Sequence, residues 1–300
     1  MNSDDDREHR FQGTTPTLRN VPPRPQAADS LDRDHPIRKL RTLPKLEAHG
    51  SLPPMVVHRD ERRGRATAFA SVADSYERAR PGYPPDAVVW LAGDRQRDVV
   101  DLGAGTGKLT RGLVSLGHRV TAIDPLPEML TLLRASLPEI AALEGSAEAI
   151  PLPDQSADVV TAAQAFHWFD HSVALREIAR VLRPGGRVAL VWNTRDDREP
   201  WVAKLSAAIG SESVEARDVD EPIDASGLFG PVERASFNWT QHLDRRTLRE
   251  LVLSRSYCAA KPPAEREPVL AAVERLFDEH ADGEAIALPY VTECFRAQRC

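Results

Sequence analysis

Cysteine is almost absent. The chain carries three in 300 residues, Cys258, Cys294 and Cys300, all near its C-terminal end. An odd number at that spacing makes neither a disulfide framework nor a zinc site, so the thiols read as free and the compartment as the reducing cytoplasm. Long apolar runs are missing too, which excludes a helical membrane span of about 20 residues. The opening segment, Met1-Asn2-Ser3-Asp4-Asp5-Asp6, is acidic and lacks the apolar stretch of a secretory signal. Positive charge is not in excess: 39 Lys and Arg stand against 45 Asp and Glu, a net charge of -6. Neither a nucleic-acid partner nor a membrane partner is expected. His171, His242 and His280 are scattered without metal-site spacing, so no metal is expected.

What is present suits a packed domain: 41% hydrophobic and 28% charged residues. Residues 1–62 differ from the rest. They hold eight of the 24 prolines and a single aromatic, Phe11, with charges of both signs and no periodicity. Such a segment buries too little apolar surface to offset its ordering entropy, and it predicts a disordered tail. A docking or regulatory arm is the functional alternative. The change of composition also admits a translation start at Met55.

The ordered part opens with Phe69, Val72 and Tyr76 at helical spacing, in a helix that stops before Pro81. A second helix runs from Asp86 to about Leu91, with Asp86 as its cap. These two helices either cover a ligand cleft or pack on a sheet edge. Strand-like runs then alternate with helical ones. The strands are Val99–Leu102, Arg119–Asp124, Ile140–Leu143, Ala157–Ala162 and Arg187–Trp192. Helical spacing marks Leu109, Leu113 and Leu116, then Met129, Leu130 and Leu133, then Val173–Leu182. Arg183-Pro184-Gly185-Gly186 reads as a helix stop and turn. Farther on, Val232–Trp239 and Ile286–Gln298 read as strands, and Leu243–Ser256 and Pro263–His280 as helices that pack on the sheet. Alternation without tight hairpins predicts an α/β fold, a doubly wound, mostly parallel sheet with helices on both faces. In such sheets ligands bind beyond the carboxyl ends of the strands, near the point where strand order reverses. Asp101, Asp124, Glu148, Gln164 and Asn193 all fall at those ends.

The densest signal is Asp101-Leu102-Gly103-Ala104-Gly105-Thr106-Gly107, a strand end, a glycine turn and a helix start. Glycine lets a ligand lie against bare backbone, and the helix start offers N–H groups. A P-loop is excluded because positions 102 and 109 are leucine. A dinucleotide fingerprint lacks its third glycine, since Lys108 stands there, which disfavours an NAD-dependent oxidoreductase. Asp124 follows Asp101 by 23 residues and is placed to accept hydrogen bonds from ribose hydroxyls.

The acid with alternate glycines, the spaced Asp124, Ser146-Ala147-Glu148, and Leu182-Arg183-Pro184-Gly185-Gly186 before a strand together resemble the class I S-adenosylmethionine-dependent methyltransferases of the type 11 group. Arg80-Pro81-Gly82-Tyr83-Pro84, Gln164-Ala165-Phe166-His167-Trp168 and Leu288-Pro289-Tyr290-Val291-Thr292 are similar to its trans-aconitate-methyltransferase-like subgroup. The resemblance spans about residues 66–300. It implies a Rossmann-like seven-stranded sheet with an antiparallel last strand, supplied by residues 286–298. It divides residues 63–300 into leader helices (63–97), a cofactor-binding core (98–195), and sheet completion with substrate-side helices (196–300).

The resemblance implies S-adenosylmethionine as cofactor and a small-molecule methyl acceptor. Asp101 would hold the methionine amino group, and Gly103, Gly105 and Gly107 would admit methionine and ribose. Asp124 would hold the ribose. Ser146, Ala147 and Glu148 would border the adenine, with Leu126 and Met129 as flanking or core residues, and Gln164 would sit beside the reactive methyl. Tyr76, Arg80 and Tyr83 would close over the cofactor, Arg80 on its carboxylate. His167 is either a general base toward a hydroxyl acceptor or a packing partner of Trp168 and Phe169. A binding protein that keeps the pocket without catalysis is the alternative of another class.

Overall fold

The computed structural model describes residues 79–209, 219–255, 258 and 262–300. The expected tail over 1–62, the first leader helix and Tyr76 lie outside the described residues. In chain order the elements are α1 (Pro85–Ala92), β1 (Asp98–Leu102), α2 (Lys108–Ser115), β2 (Arg119–Asp124), α3 (Pro127–Ser136), β3 (Ala141–Glu144) and β4 (Ala157–Ala163). They continue with α4 (His171–Val181), β5 (Leu182–Arg195), α5 (Pro200–Ile209), α6 (Asp220–Ser226), β6 (Glu233–Asp244), α7 (Arg245–Leu253), α8 (Pro263–His280) and β7 (Ala285–Gln298). A 3-10 turn, Phe166–Trp168, follows β4.

The sheet has seven strands in the order β3-β2-β1-β4-β5-β7-β6. β1 to β5 pair in parallel, and β7 runs antiparallel between β5 and β6. Strand order reverses between β1 and β4, which places the switch point there. The central strands are apolar without interruption because both faces are covered. On one face Val188, Leu190 and Trp192 of β5 pack with Val160, Leu175 and Ile178, under α4 and α6. On the other, Ala189 and Val191 pack with Val159, Val88, Leu91 and Leu113, under α1 and α2. A separate apolar cluster joins α5, α7 and α8 to Leu243, Ile286 and Leu288 at the ends of β6 and β7.

Local sequence explains most boundaries. Asp170 caps α4 by accepting from the N–H groups of Ser172 and Val173, and Asp244 caps α7 through Thr247. Arg183–Gly186 end α4 and loop out of the ladder, so that Leu182 pairs with Ala157 and pairing resumes at Arg187 with Val159. Asp86 does not cap α1. The preceding residue in the cap position is Pro84, no side chain caps it, and Pro85 starts the helix where its missing N–H costs nothing. β6 runs past Trp239 to Asp244, because its alternation of covered and exposed residues continues along β7. Among the described residues no helix is long and apolar enough to cross a membrane.

Leu190 is fully buried at the centre of the sheet. Truncation to alanine is expected to lower unfolding free energy by about 3 kcal/mol, through lost transfer energy and a cavity. Urea denaturation checks this; an unchanged midpoint contradicts the placement of the core.

Candidate active site

The carboxyl ends of β1, β2, β3, β4 and β5 form one rim, and backbone hydrogen bonds stitch its loops together. Gly103 and Ala104 donate to the Ile123 carbonyl at 2.8 and 3.1 Å, and Gly145 donates to the Asp124 carbonyl at 3.3 Å. The three glycines of the turn all have left-handed backbones, with φ of 65°, 56° and 88° at Gly103, Gly105 and Gly107. Their surroundings differ. A Cβ on Gly103 would lie 2.7 Å from Cβ of Ala165, so that glycine lets the Gln164 loop close on the turn. A Cβ on Gly107 would lie 3.2 Å from Leu133 Cγ, so that one serves helix packing. Gly105 alone of the three faces open space, and it is the position where a ligand can meet bare backbone.

Two buried carboxylates stand behind the turn. Asp124 accepts from the N–H of Gly105 at 2.8 Å and from that of Leu126 at 2.9 Å. Burial raises its pKa above the ordinary carboxylate range, and those two N–H groups work against the rise. Asp101 is fully buried and sits opposite Thr161 in the β1–β4 ladder. One of its oxygens accepts from Thr161 Oγ1 at 2.9 Å and the other from Thr110 Oγ1 at 2.7 Å. Burial pushes its pKa up to about 6; the two threonine hydroxyls oppose this, and the Asp124 charge adds to it. The sequence reading gives Asp101 to a ligand amine. The structure gives each of its oxygens one internal donor, and these bonds tie the strand end to α2 and β4.

The loops beyond the other strands complete the rim. Ser146 and Glu148 are half-buried and Ala147 is buried. Glu148 Oε1 accepts from the Asp170 N–H at 2.9 Å, which ties this loop to the start of α4. Leu126 is half-buried and Met129 is buried. Gln164 holds a left-handed backbone, φ 54°, which is costly for a residue with a side chain. Its Nε2 donates to the Asn193 carbonyl at 3.0 Å. His167 is exposed, with its ring centroid 4.8 Å from that of Trp168, itself 67% exposed. Arg80 donates from Nε and Nη2 to Oγ and O of Ser254, after α7.

Asn193 is the residue whose weight the linear sequence underplays. Its Nδ2 donates to the Gly82 carbonyl at 2.7 Å, and its Oδ1 accepts from Thr292 Oγ1 at 2.6 Å. Thr292 in turn accepts from Trp239 Nε1 at 2.8 Å. Through its side chain and its backbone carbonyl Asn193 therefore joins the leader, the Gln164 loop, β7 and, by way of Thr292, β6. An asparagine at the end of an apolar strand was the available signal. Among the described residues no group of three His, Cys, Asp or Glu side chains is placed to hold a metal.

A doubly wound sheet whose switch point carries an open-faced glycine turn and a buried acid on the next strand is the architecture of a protein that binds a nucleoside-bearing ligand. A family model described as a methyltransferase domain matches residues 100–190. An uncharacterized methyltransferase of Mycobacterium tuberculosis is 49% identical over 242 residues, 79% of this chain and 97% of that protein. A malonyl-[acyl-carrier protein] O-methyltransferase of Yersinia pestis is 38% identical over 144 residues, 46% of this chain and 52% of that protein. A solved structure from Anaeromyxobacter dehalogenans, described as a type II methyltransferase, is 26% identical with a TM-score of 0.54, over 73% of this chain and 97% of that one. The chain belongs to the class I S-adenosylmethionine-dependent methyltransferases. It is an enzyme, and S-adenosylmethionine is its cofactor.

The raised pKa of Asp101 has a measurable sign. The folded value of about 6 lies above the ordinary 3.8, so between those pH values the folded state binds more protons than the unfolded. This group's contribution to stability therefore falls as pH rises from about 4 to about 6, by on the order of 3 kcal/mol, and is level above. Asp101→Asn is expected to remove that slope. Urea unfolding of both proteins from pH 4 to 8 checks it; parallel curves contradict the raised value.

Proposed function

We propose that the enzyme transfers the methyl group to an oxygen of a small-molecule acceptor, a carboxylate or a hydroxyl, by in-line displacement. The open face of Gly105 beside the buried Asp124 suits the ribose and methionine end of the cofactor, which supplies an activated methyl on a sulfonium. In this reading Asp124 accepts from the ribose hydroxyls, and Gly103, Gly105 and Gly107 shape the backbone against methionine. Asp101 sets the turn and the local negative potential for the methionine amine. Ser146, Ala147 and Glu148 border the adenine.

The observation that carries the acceptor reading is the Gln164 loop. Its Ala165 abuts Gly103, its backbone is strained, and its amide is fixed on Asn193. That arrangement supports a rigid, neutral polar wall beside the reactive methyl, with His167 next along the loop. A wall of this kind orients an acceptor, and orientation supplies much of the rate of a displacement whose leaving group is already activated. A carboxylate acceptor needs no base. For a hydroxyl acceptor, His167 takes the proton, its ordinary pKa being near neutrality. The likeness to an O-methyltransferase over 46% of the chain supports an oxygen acceptor.

A labelled-methyl screen over carboxylic acids, phenols, amines and carbon acids tests the reading. Label is expected in esters or ethers; label confined to amines or carbon acids contradicts it. With a phenolic acceptor, His167→Ala is expected to lower kcat by about a hundredfold, and with a carboxylate to leave it unchanged. Full turnover of the variant on its hydroxyl substrate removes the base role.

A further inference from the structure

The amino edge of the parallel strands, opposite the rim, carries several guanidinium groups that have acceptors. Arg119 and Arg183 share Asp98, and Arg183 also meets Asp158. Arg296 donates to Glu233 and to the Trp90 carbonyl and lies over the Trp90 ring. Two others stand apart. Arg97, the residue before β1, and Arg187, where β5 resumes its pairing with β4, make no side-chain hydrogen bond or ion pair with another of the described residues.

These two converge on Gly93, the residue that closes α1. A Cβ placed on Gly93 would lie 3.3 Å from Arg97 Nε and 3.6 Å from Arg187 Nη2, so both guanidinium groups lie against the same bare stretch of backbone. Both side chains are half-buried, and Arg97 Nε is buried without an acceptor. His118 is 5% exposed beside them. The Gly93 backbone and the Arg97 charge both act on its ring, and neither ring nitrogen completes a hydrogen bond. Burial lowers its pKa, and the Arg97 charge adds to the fall against the Gly93 carbonyl, so the ring is neutral near pH 7 and brings an N–H without a charge.

An out-of-water donor without an acceptor is costly, and a guanidinium has five N–H groups to satisfy. The neighbouring groups answer this poorly. Arg97 and Arg296 repel Arg187, and Glu233, the acid that offsets them, already accepts twice from Arg296. The negative end of α1 attracts both arginines. Its last carbonyls are partly taken, however, that of Trp90 by Arg296 and that of Val89 by the Gly93 N–H. An oxyanion meets the remaining demand, because planar forks match its oxygens and the bonds are charge-assisted. The place is separate from the cofactor rim, since about 17 Å of β1 lies between Arg97 and the glycine turn. It joins the starts of β1 and β5 on either side of β4.

We propose that Arg97 and Arg187, with the His118 N–H, form an anion site at the amino edge of the sheet that takes the phosphate or carboxylate group of a small molecule. A bound anion ties β1 to β5 across β4 and steadies the enzyme without competing with the cofactor.

Calorimetry tests this, with inorganic phosphate and acetate as probes. Each is titrated into the full chain at constant ionic strength, with and without S-adenosylhomocysteine. At least one probe is expected to bind, and to bind alike in both conditions; the one that binds tells phosphate from carboxylate. Arg97→Gln and Arg187→Gln are each expected to weaken it about tenfold or more. Arg187→Lys, which keeps the charge and loses the fork, is expected to weaken it about threefold, and it keeps the test open if a glutamine variant fails to fold. No binding of either probe to the wild type overturns the proposal and leaves the two arginines to the carbonyls of α1. Binding that survives the substitutions, or that S-adenosylhomocysteine abolishes, overturns it by placing the anion elsewhere.

Discussion

A single carboxylate organises the binding rim. Asp124 ends β2 and accepts from the N–H of Gly105, so the second strand of the sheet holds the turn that follows the first. The turn has three left-handed glycines at alternate positions, and this bond adds to those of Gly103 and Ala104 with the Ile123 carbonyl in defining it. The bond also brings the open face of Gly105 beside the buried Asp124 carboxylate, where the nucleoside is proposed to lie. Its burial raises its pKa, which marks the cost of keeping a charged group there.

Asp101 plays a complementary part from below. Its two oxygens are occupied by Thr110 from α2 and Thr161 from β4. These bonds lock the helix start and the neighbouring strand to the turn. The leader side is organised in the same manner by Asn193, which fixes the strained Gln164 and holds the Gly82 carbonyl. The rim is therefore fastened on both sides of the glycine turn.

Much of this was legible in sequence, and the reasons are physical. Strands buried on both faces read as apolar runs, and β2 begins and ends at the expected Arg119 and Asp124. Helix α8 covers the expected Pro263–His280, and β7 supplies the antiparallel strand between β5 and β6. What was hidden depends on register. Thr161 looks like one more β-branched residue in an apolar strand until the β1–β4 ladder sets it opposite Asp101. Asn193 and Thr292 are 99 residues apart in the chain, and the β5–β7 pairing sets them side by side. α5 and α6 escaped notice because the segment after β5 offers no long periodic run. Asp86 was misplaced as a cap because the paired prolines before it start the helix one residue earlier.

The central claim is that Asp124 reads the ribose of the cofactor. The most direct measurement is a binding cycle by calorimetry, with S-adenosylhomocysteine and its 2′,3′-dideoxyribose analogue against the wild type and Asp124→Ala. The account predicts that the wild type prefers S-adenosylhomocysteine by about tenfold or more and that the variant binds the two alike. A preference kept by the variant, or absent from the wild type, contradicts it.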